Sequence, residues 1–268
     1  MFRNRTSPFA FTGNKFEFRM LGSSNSIACT NMMLNTAVAE SLRQLADALE
    51  GAADFDSALH ELIKQTIIDH KRIIFNGNGY DDTWIKEATE KRGLLNLRST
   101  PEAMSQALEA KNMNMLMSHK VFSEAELRSR YEIQMENYCK TIRIEALTMR
   151  DMARKEILPA VESYVSALAA TTAAKNAADS ALACGYETKL LKKLASLVDT
   201  IDGRAEALES ALVKLETVNG ITEEAFAIRD MILPKMSELR EVCDEAETLT
   251  AANYWPFPTY GDLLFGVR

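Results

Sequence analysis

The chain has 268 residues, enough for one large domain or two smaller ones, and it contains only 11 glycines, 6 prolines and 7% aromatic residues, which argues against an all-β fold. A net charge of −7 gives no general attraction to nucleic acid or anionic membrane, and no apolar run approaches the ~20 residues that cross a bilayer, so we expect neither partner. The four cysteines form no CxxC pair, which argues against structural zinc or a disulfide framework and predicts a cytoplasmic protein with reduced thiols.

One strand is predicted near the N-terminus. The segment Asn14–Met20 reads NKFEFRM, in which charged and apolar residues alternate strictly. A period of two places Lys15, Glu17 and Arg19 on one face and apolar residues on the other, as in a half-buried strand. A polar turn follows at Gly22, and a helix is predicted after it.

After this strand the apolar residues recur with a helical period. The first helix carries an apolar stripe that ends at Gly51: Met33, Val38, Leu42, Leu45 and Leu49. A second helix is predicted over 56–74, with these residues facing inward: Leu59, Leu62, Ile63, Ile67 and Ile74. The loop Phe75–Tyr80 separates it from a short helix over 84–92, and Pro101 marks the first turn of the next helix.

The second half of the sequence predicts long helices joined by short connections. A capping box at Ser123–Glu126 opens a helix that we expect to kink at Pro159, because proline removes an i→i−4 hydrogen bond. An alanine-rich stretch continues it, and two helices with apolar seams follow over 187–219 and 222–252. Such helices pack antiparallel, so we predict a mainly α protein with a long antiparallel helical bundle after the strand and first helix. The aromatic tail 254–265 is predicted to be extended and to dock on another surface.

Most familiar catalytic signatures are missing from the sequence. The three histidines, His60, His70 and His119, have no metal-ligand spacing and are interpreted as ordinary helix-surface residues. The GNG of the predicted loop lacks the rest of a dinucleotide-binding fingerprint, and no Walker-type loop is present. The methionine-rich stretch 113–117 indicates adaptable packing rather than a metal site.

The predicted strand has two interpretations. Its polar face holds a carboxylate between two cations, with Arg5 a short loop upstream. This can be a solvated face with cross-strand ion pairs. Alternatively it is an anion site, in which Arg5, Lys15 and Arg19 gather phosphate or carboxylate oxygens while Glu17 holds a hard divalent ion. The second arrangement suits phosphoryl transfer, where positioning and charge neutralisation supply most of the acceleration.

Four stretches of the sequence resemble one enzyme family. The run RNRTSPFAFTGNKFEFRMLGSSNSI resembles the last catalytic motif of glutamine synthetases, specifically of the type III family. Three later stretches resemble that family's C-terminal helical region: HKRIIFNGNGY, SRYEIQMENYCKTIRIEALTM and YWPFPTYGDLLF. The resemblance implies an enzyme that makes glutamine from glutamate, ammonia and ATP through γ-glutamyl phosphate, using Mg²⁺ or Mn²⁺. It also implies a homo-oligomer of stacked rings with active sites between neighbouring subunits.

The resemblance assigns roles to individual residues of the strand segment. Glu17 matches the family's metal-ligand glutamate on the nucleotide side, and Arg19 matches the arginine that contacts the transferring phosphate and the glutamate substrate. Arg5 matches an arginine that stabilises the phosphoryl group, and Lys15 stands where other glutamine synthetases have an arginine near the nucleotide phosphates. One departure is that Ala10 stands where other classes have a second arginine, so the family's ATP contacts do not carry over to this chain in every detail.

The resemblance further implies that much of the enzyme lies outside this sequence. The family's subunits are far longer, and their earlier segments carry the other metal-binding carboxylates, a metal-binding histidine and most substrate contacts. One carboxylate cannot satisfy a magnesium ion that needs several oxygen ligands. We therefore expect a C-terminal fragment, or a gene truncated at an internal methionine, that is inactive by itself.

Two functional hypotheses follow for this chain. In the first, residues 1–55 end the catalytic domain of a glutamine synthetase, and residues 56–268 form a helical C-terminal domain. In the second, the chain is a non-enzymatic helical module whose bundle is an assembly surface. The two are partly compatible, because the helical domain can also serve ring assembly in the full enzyme.

Overall fold

A computed structural model describes residues 26–75, 77–79 and 81–266 in full, together with the backbone of two short strands. The strands are β1 (Phe9–Phe11) and β2 (Phe16–Phe18). The helices described are α1 (Ala28–Leu49), α2 (Phe55–His70), α3 (Asp82–Lys86), α4 (Thr100–Ser105), α5 (Ala110–Ser118), α6 (Glu124–Met152), α7 (Leu158–Ala178), α8 (Gly185–Leu215), α9 (Ile221–Ala227), α10 (Leu233–Leu249) and α11 (Tyr260–Phe265). The predicted mainly helical class is therefore confirmed. Two compact units divide at Tyr131/Glu132, within α6.

The two strands pair antiparallel. Phe9 lies opposite Phe18, Ala10 opposite Glu17, and Phe11 opposite Phe16 in the register. The strand predicted over 14–20 has β2 at its centre, and its flanking residues lie outside the described part of the chain. The assignment of this segment to the end of a catalytic domain, with a boundary at residue 55, stays a prediction.

The first unit contains a small apolar core. Four buried side chains form it: Met113, Leu116, Phe122 and Leu127. Further methionines and aliphatic residues pack against these four. The methionine-rich stretch thus contributes to packing, as the sequence indicates. Ser123 and Glu126 form the predicted capping box at the start of α6, with Glu126 accepting a hydrogen bond from the Ser123 amide at 2.8 Å.

The first two helices depart from the prediction in the side that they bury. Thr36 is buried in α1, whereas Val38 and Leu42 of the predicted apolar stripe are 53% and 61% exposed. In α2, Ile63 and Ile67 are also more than half exposed. The periodicity identifies the apolar side of each helix correctly, but the described residues cover that side only in part.

The second unit is an antiparallel bundle around α8. This helix packs against both α7 and α10, and its buried face includes most of the predicted seam: Leu194, Leu197, Ile201, Leu208, Leu212 and Leu215. Ion pairs set its register against α6 and α7: Arg143–Glu216, Arg154–Glu209 and Lys175–Glu187. Residue numbers rise along α6 and α7 as they fall along α8, so the helices run antiparallel, as predicted.

Each of two prolines in the bundle follows a π-helical turn. The turns are Ala153–Ile157 before Pro159 and Ile228–Ile232 before Pro234. In the first turn, the amide of Leu158 bonds to the carbonyl of Ala153, five residues earlier instead of four. Because proline lacks an N–H and its ring clashes with the carbonyl four residues before it, a widened turn accommodates the ring while the helix continues. At Pro159, where the sequence predicts a kink, the helix therefore continues through a π turn.

The sequence predicts an extended C-terminal tail, but in the structure the tail ends in a helix. Thr259 and Asp262 form a capping box that opens α11. This capping box follows the prolines of the tail, so a helix can start there although the prolines prevent one before it. Upstream, the rings of Tyr254 and Tyr164 lie 5.1 Å apart, so the start of the tail docks on α7.

One continuous helix among the described residues, Glu124–Ala178, is long and apolar enough by length and composition to cross a membrane. Its apolar part is the alanine-rich α7, which packs against α8. A search for unbroken apolar runs misses this helix because serines and threonines interrupt it. That the chain has no membrane partner stays a prediction.

The core around α8 can be tested by truncating one buried side chain. Leu208 is fully buried, whereas Val213 on the same helix is 60% exposed. Leu208→Ala leaves a cavity, so we expect the free energy of unfolding to fall by about 2–5 kcal/mol. The control Val213→Ala is expected to change it by less than about 0.5 kcal/mol. Urea unfolding followed by circular dichroism measures both, and equally small effects would contradict this core.

Candidate functional site

The residues predicted to carry chemistry lie at the edge of what the structure describes. Arg5, Lys15 and Arg19 lie outside the described residues, and Glu17 is described by its backbone alone. Glu17 stands in β2 directly opposite Ala10 of β1. The predicted grouping of a carboxylate with three cations therefore stays a prediction. In this strand pair, Glu17, the predicted metal ligand, is the cross-strand neighbour of Ala10, which stands where other classes have an arginine.

The described side chains do not form a metal site by themselves. Within residues 26–75, 77–79 and 81–266, no group of three or more histidine, cysteine, aspartate and glutamate side chains could hold an ion. A divalent magnesium ion takes about six ligands, mostly oxygens. Glu17 can be one of them, and the others must come from outside these described side chains.

The cysteines are free thiols, as the sequence predicts. Cys139 and Cys243 are buried, and burial raises the pKa of each thiol to about 11. Both therefore stay protonated at neutral pH, whereas a nucleophilic cysteine acts as the thiolate. These two residues fill the bundle and supply no nucleophile.

A polar cluster in the first unit joins α1 to the end of α5. The Glu40 carboxylate accepts hydrogen bonds from Arg43 Nη2 at 2.7 Å and from Gln44 Nε2 at 2.6 Å, and its second oxygen lies 2.8 Å from His119 Nε2. Arg43 also pairs with Asp47 at 2.6 Å. The Glu40 and His119 side chains are only 17% and 23% exposed, so solvent screens their contact weakly.

Hydrogen bonding fixes the charge of this cluster. Arg43 first, then Gln44 and His119, hold the pKa of the Glu40 carboxyl well below its usual range. Glu40 is therefore a carboxylate throughout the physiological pH range. The sequence interprets His119 as an ordinary surface residue, and with 79 positions between the partners no local pattern signals their contact. The pair fixes α1, the helix after the predicted catalytic strand, against α5.

An open groove of about 460 Å³ lies beside this pair. Seven residues with polar side chains and one methionine line it: Glu40, Arg43, Gln44, Lys111, Asn112, Asn114, Ser118 and Met115. The guanidinium of Arg43 is already shared between Glu40 and Asp47. The groove offers hydrogen-bonding contacts, but its ionised carboxylate and committed guanidinium are not arranged as a nucleophile with its base.

Stacked side chains hold Phe75, the residue that begins the predicted loop after α2. The rings of Phe75 and Trp84 stack with centroids 3.7 Å apart, and the Arg92 guanidinium lies 4.8 Å over the Trp84 ring. Arg92 also donates a 2.9 Å hydrogen bond to the carbonyl of Ile74. A Cβ at Gly77 would lie 2.7 Å from the tip of the Phe75 ring, so this position has no room for a side chain. Phe75, the first residue of the predicted loop, is thus held by Trp84, and these stacked side chains have a structural role.

Comparison with known proteins identifies the sequence relatives of this chain. Residues 58–176 match the family described as the glutamine synthetase C-terminal domain. The glutamine synthetase of Butyrivibrio fibrisolvens is 37% identical over 99% of this chain, and the type-3 glutamine synthetase of Dictyostelium discoideum is 36% identical over 98%. The glutamine synthetase of Bacteroides fragilis (strain YCH46) is 31% identical over 98%.

The chain spans only 37–38% of the length of these relatives. The similarity includes the strand segment as well as the helices, because the aligned regions cover 98–99% of this chain. The C-terminal domain family begins to match at residue 58, within α2. The strands and α1 therefore precede the part of the chain that this family describes.

The charge state of Glu40 predicts an acid-dependent stability. Because its folded-state pKa is lowered, its contribution to stability is present above the ordinary pKa of 4.5 and is lost as the pH falls from that value towards the lower folded-state pKa. Glu40→Gln is therefore expected to melt at a lower temperature than the wild type near neutral pH, with a gap that narrows below about pH 4. Calorimetry across this range measures the gap. The exposed-pair control Glu61→Gln should show little gap at any pH, and a pH-independent gap for Glu40→Gln would contradict the assignment.

Proposed function

We propose, because this chain belongs to the type III glutamine synthetase family, that it works as part of a subunit that ligates ammonia to glutamate at the expense of ATP. The observation that carries the proposal is sequence similarity to named glutamine synthetases over 98–99% of the chain. The chain spans less than two-fifths of those relatives, so the proposed activity is that of a longer subunit and not of this chain alone.

In the proposed reaction, the γ-carboxylate of glutamate attacks the γ-phosphorus of ATP, forming γ-glutamyl phosphate and releasing ADP. Ammonia then attacks the acyl carbon, loses a proton and displaces phosphate. Negative charge spreads over the phosphoryl oxygens during the first step, and guanidinium groups stabilise it with paired hydrogen bonds. We assign Arg5 to the phosphoryl oxygens and Arg19 to the phosphate and the glutamate. Lys15 acts as a point charge near the nucleotide phosphates.

Glu17 is the proposed ligand of Mg²⁺ or Mn²⁺. Carboxylate oxygens suit hard divalent ions, and an ion bound there would neutralise charge on the ATP phosphates. The described side chains form no cluster that completes such a site. We therefore propose that the remaining ligands come from the rest of the subunit or from a neighbouring subunit.

For the helical units we propose a role in the ring assembly of a cytoplasmic homo-oligomer. The supporting observation is that α11 exposes four large apolar or aromatic side chains: Tyr260, Leu263, Leu264 and Phe265. Exposed apolar groups at this density are typical of a docking segment. The same observation favours the second candidate function, a non-enzymatic helical interaction module.

The first prediction from this proposal concerns the chain alone. The purified chain is expected to show no ATP hydrolysis that depends on glutamate and ammonia, because one carboxylate cannot hold the catalytic metal. A coupled assay for ADP release, with each substrate omitted in turn, measures it. Turnover above background that requires both substrates would show that this chain is sufficient and would contradict the proposed division of the site.

The second prediction uses a complete subunit. The portion of the Butyrivibrio fibrisolvens enzyme that this chain does not match is joined to this chain to make a chimera. Glu17→Gln in the chimera is expected to lower turnover by orders of magnitude, with partial recovery at high magnesium, because the amide has a similar shape but no charge. Arg19→Lys is expected to lower it as well, since an ammonium cannot form the guanidinium's paired hydrogen bonds.

Steady-state turnover against magnesium concentration, beside the melting temperature of each variant, measures these effects. The matched control is Glu132→Gln, an exposed carboxylate of α6 that is expected to leave turnover unchanged. If Glu17 only balanced cations on a solvated strand face, its loss would cost about 0–1 kcal/mol of stability and little catalysis. Near-wild-type turnover of Glu17→Gln would therefore reject the metal-ligand role.

A further inference from the structure

Helix α1 has two different sides. One side packs on the core of the first unit through Met32 and Met33, buries Thr36 and carries Glu40, which contacts His119. The other side is an apolar stripe at helical spacing: Ile27, Leu34, Val38, Leu42, Leu45 and Leu49. Val38 and Leu42, in the middle of this stripe, are 53% and 61% exposed. Leu34, Leu45 and Leu49 are partly buried. The helix thus has one packed side and an opposite apolar side that is covered only in part.

Helix α2 carries further exposed aliphatic side chains. It packs beside α1 after a short turn at Gly51, whose φ of +77° lets the chain reverse. Leu59 and Leu62 are partly buried, while Ile63 and Ile67 are 51% and 54% exposed. We name Val38, Leu42, Ile63 and Ile67 the α1–α2 face. Uncovered aliphatic side chains at regular helical spacing on two adjacent helices are typical of a surface that another polypeptide covers.

We propose that the α1–α2 face is the surface on which the rest of the glutamine synthetase subunit packs, so that α1 is shared between the catalytic part and the helical part. This inference rests on the proposed function, because it takes the covering surface to be the portion of the subunit that this chain does not span. The face is therefore an intrasubunit interface, and the aliphatic side chains that it exposes are buried in the complete enzyme.

Three observations favour this occupant over a second copy of the chain. The relatives are more than twice as long as this chain, so a large polypeptide surface remains to be placed. The C-terminal domain family matches residues 58–176, so α1 lies before the matched region, whereas Ile63 and Ile67 lie inside it. Finally, α1 begins at Ala28, shortly after β2, the strand predicted to carry the metal ligand. Elements that follow one another in sequence are usually neighbours in space, which favours a position of α1 close to the predicted catalytic strand.

Cysteine labelling tests the proposal without depending on activity. Leu42→Cys places a thiol on the α1–α2 face, and Val213→Cys places a control thiol at a position of nearly equal exposure in α8. Both are made with Cys29→Ser and Cys184→Ser, since those native thiols are at least partly accessible. The buried Cys139 and Cys243 stay in place and report folding, because they react with maleimide only if the protein opens.

The maleimide reaction rate is compared between the chain alone and the chimera described above. We expect the thiol of Leu42→Cys to react at least about tenfold more slowly in the chimera, because burial blocks access of the reagent. The thiol of Val213→Cys should react at the same rate in both proteins. The comparison is made on protein in which Cys139 and Cys243 remain unlabelled.

Equal rates for Leu42→Cys in the two proteins would overturn the proposal, since the face would then be open in the complete subunit. Slow labelling in the chain alone that becomes fast on dilution would also overturn it, because a second copy would be the occupant. Failure of the proposed function is a separate result. A chimera that protects Leu42→Cys but does not ligate ammonia would reject the activity and support the interface.

Discussion

The second unit depends on covering the apolar face of α8. This helix is 31 residues long and its buried positions run along most of its length, so it requires neighbours on that side. Helices α7 and α10 supply them. Ion pairs such as Lys193–Glu245 lie at the exposed edge of the contact, where they contribute little to stability. The π turns before Pro159 and Pro234 let both neighbours continue along α8 despite their prolines.

In the first unit, by contrast, the apolar sides of α1 and α2 are covered only in part by the described residues. Its core is small, and α1 is attached to it by the Met32–Met33 contact and by the Glu40–His119 pair. The opposite side of α1 stays only partly covered, with Val38 and Leu42 more than half exposed. In the sequence, α1 follows the strand segment that resembles the family's catalytic motif. In the interface proposed above, α1 packs on the helical part with one side and on the catalytic part with the other. The proposed chemistry and the proposed interface therefore meet within one short stretch of sequence.

Local patterns account for what the sequence predicts correctly. The seam of α8, including Ile201 and Leu208, is visible because its spacing repeats within one helix. Capping boxes and the positive φ of Gly51 and Gly93 fix helix ends through neighbouring residues. The Glu40–His119 contact joins residues 79 positions apart, and periodicity cannot show which side of α1 finds a partner. The roles of Arg5, Lys15, Glu17 and Arg19 come from family resemblance, since alternation alone also fits a solvated strand face.

The most direct test of the central claim is the position of the metal in a complete subunit. Crystals of the chimera grown with Mn²⁺ and a nonhydrolysable ATP analogue would be measured at the manganese absorption edge, where anomalous scattering locates the ion. The account predicts a manganese ion with a Glu17 carboxylate oxygen about 2 Å away, among ligands from the upstream part of the subunit or a neighbouring subunit. A nucleotide-bound manganese ion with no Glu17 oxygen in its coordination sphere would contradict it.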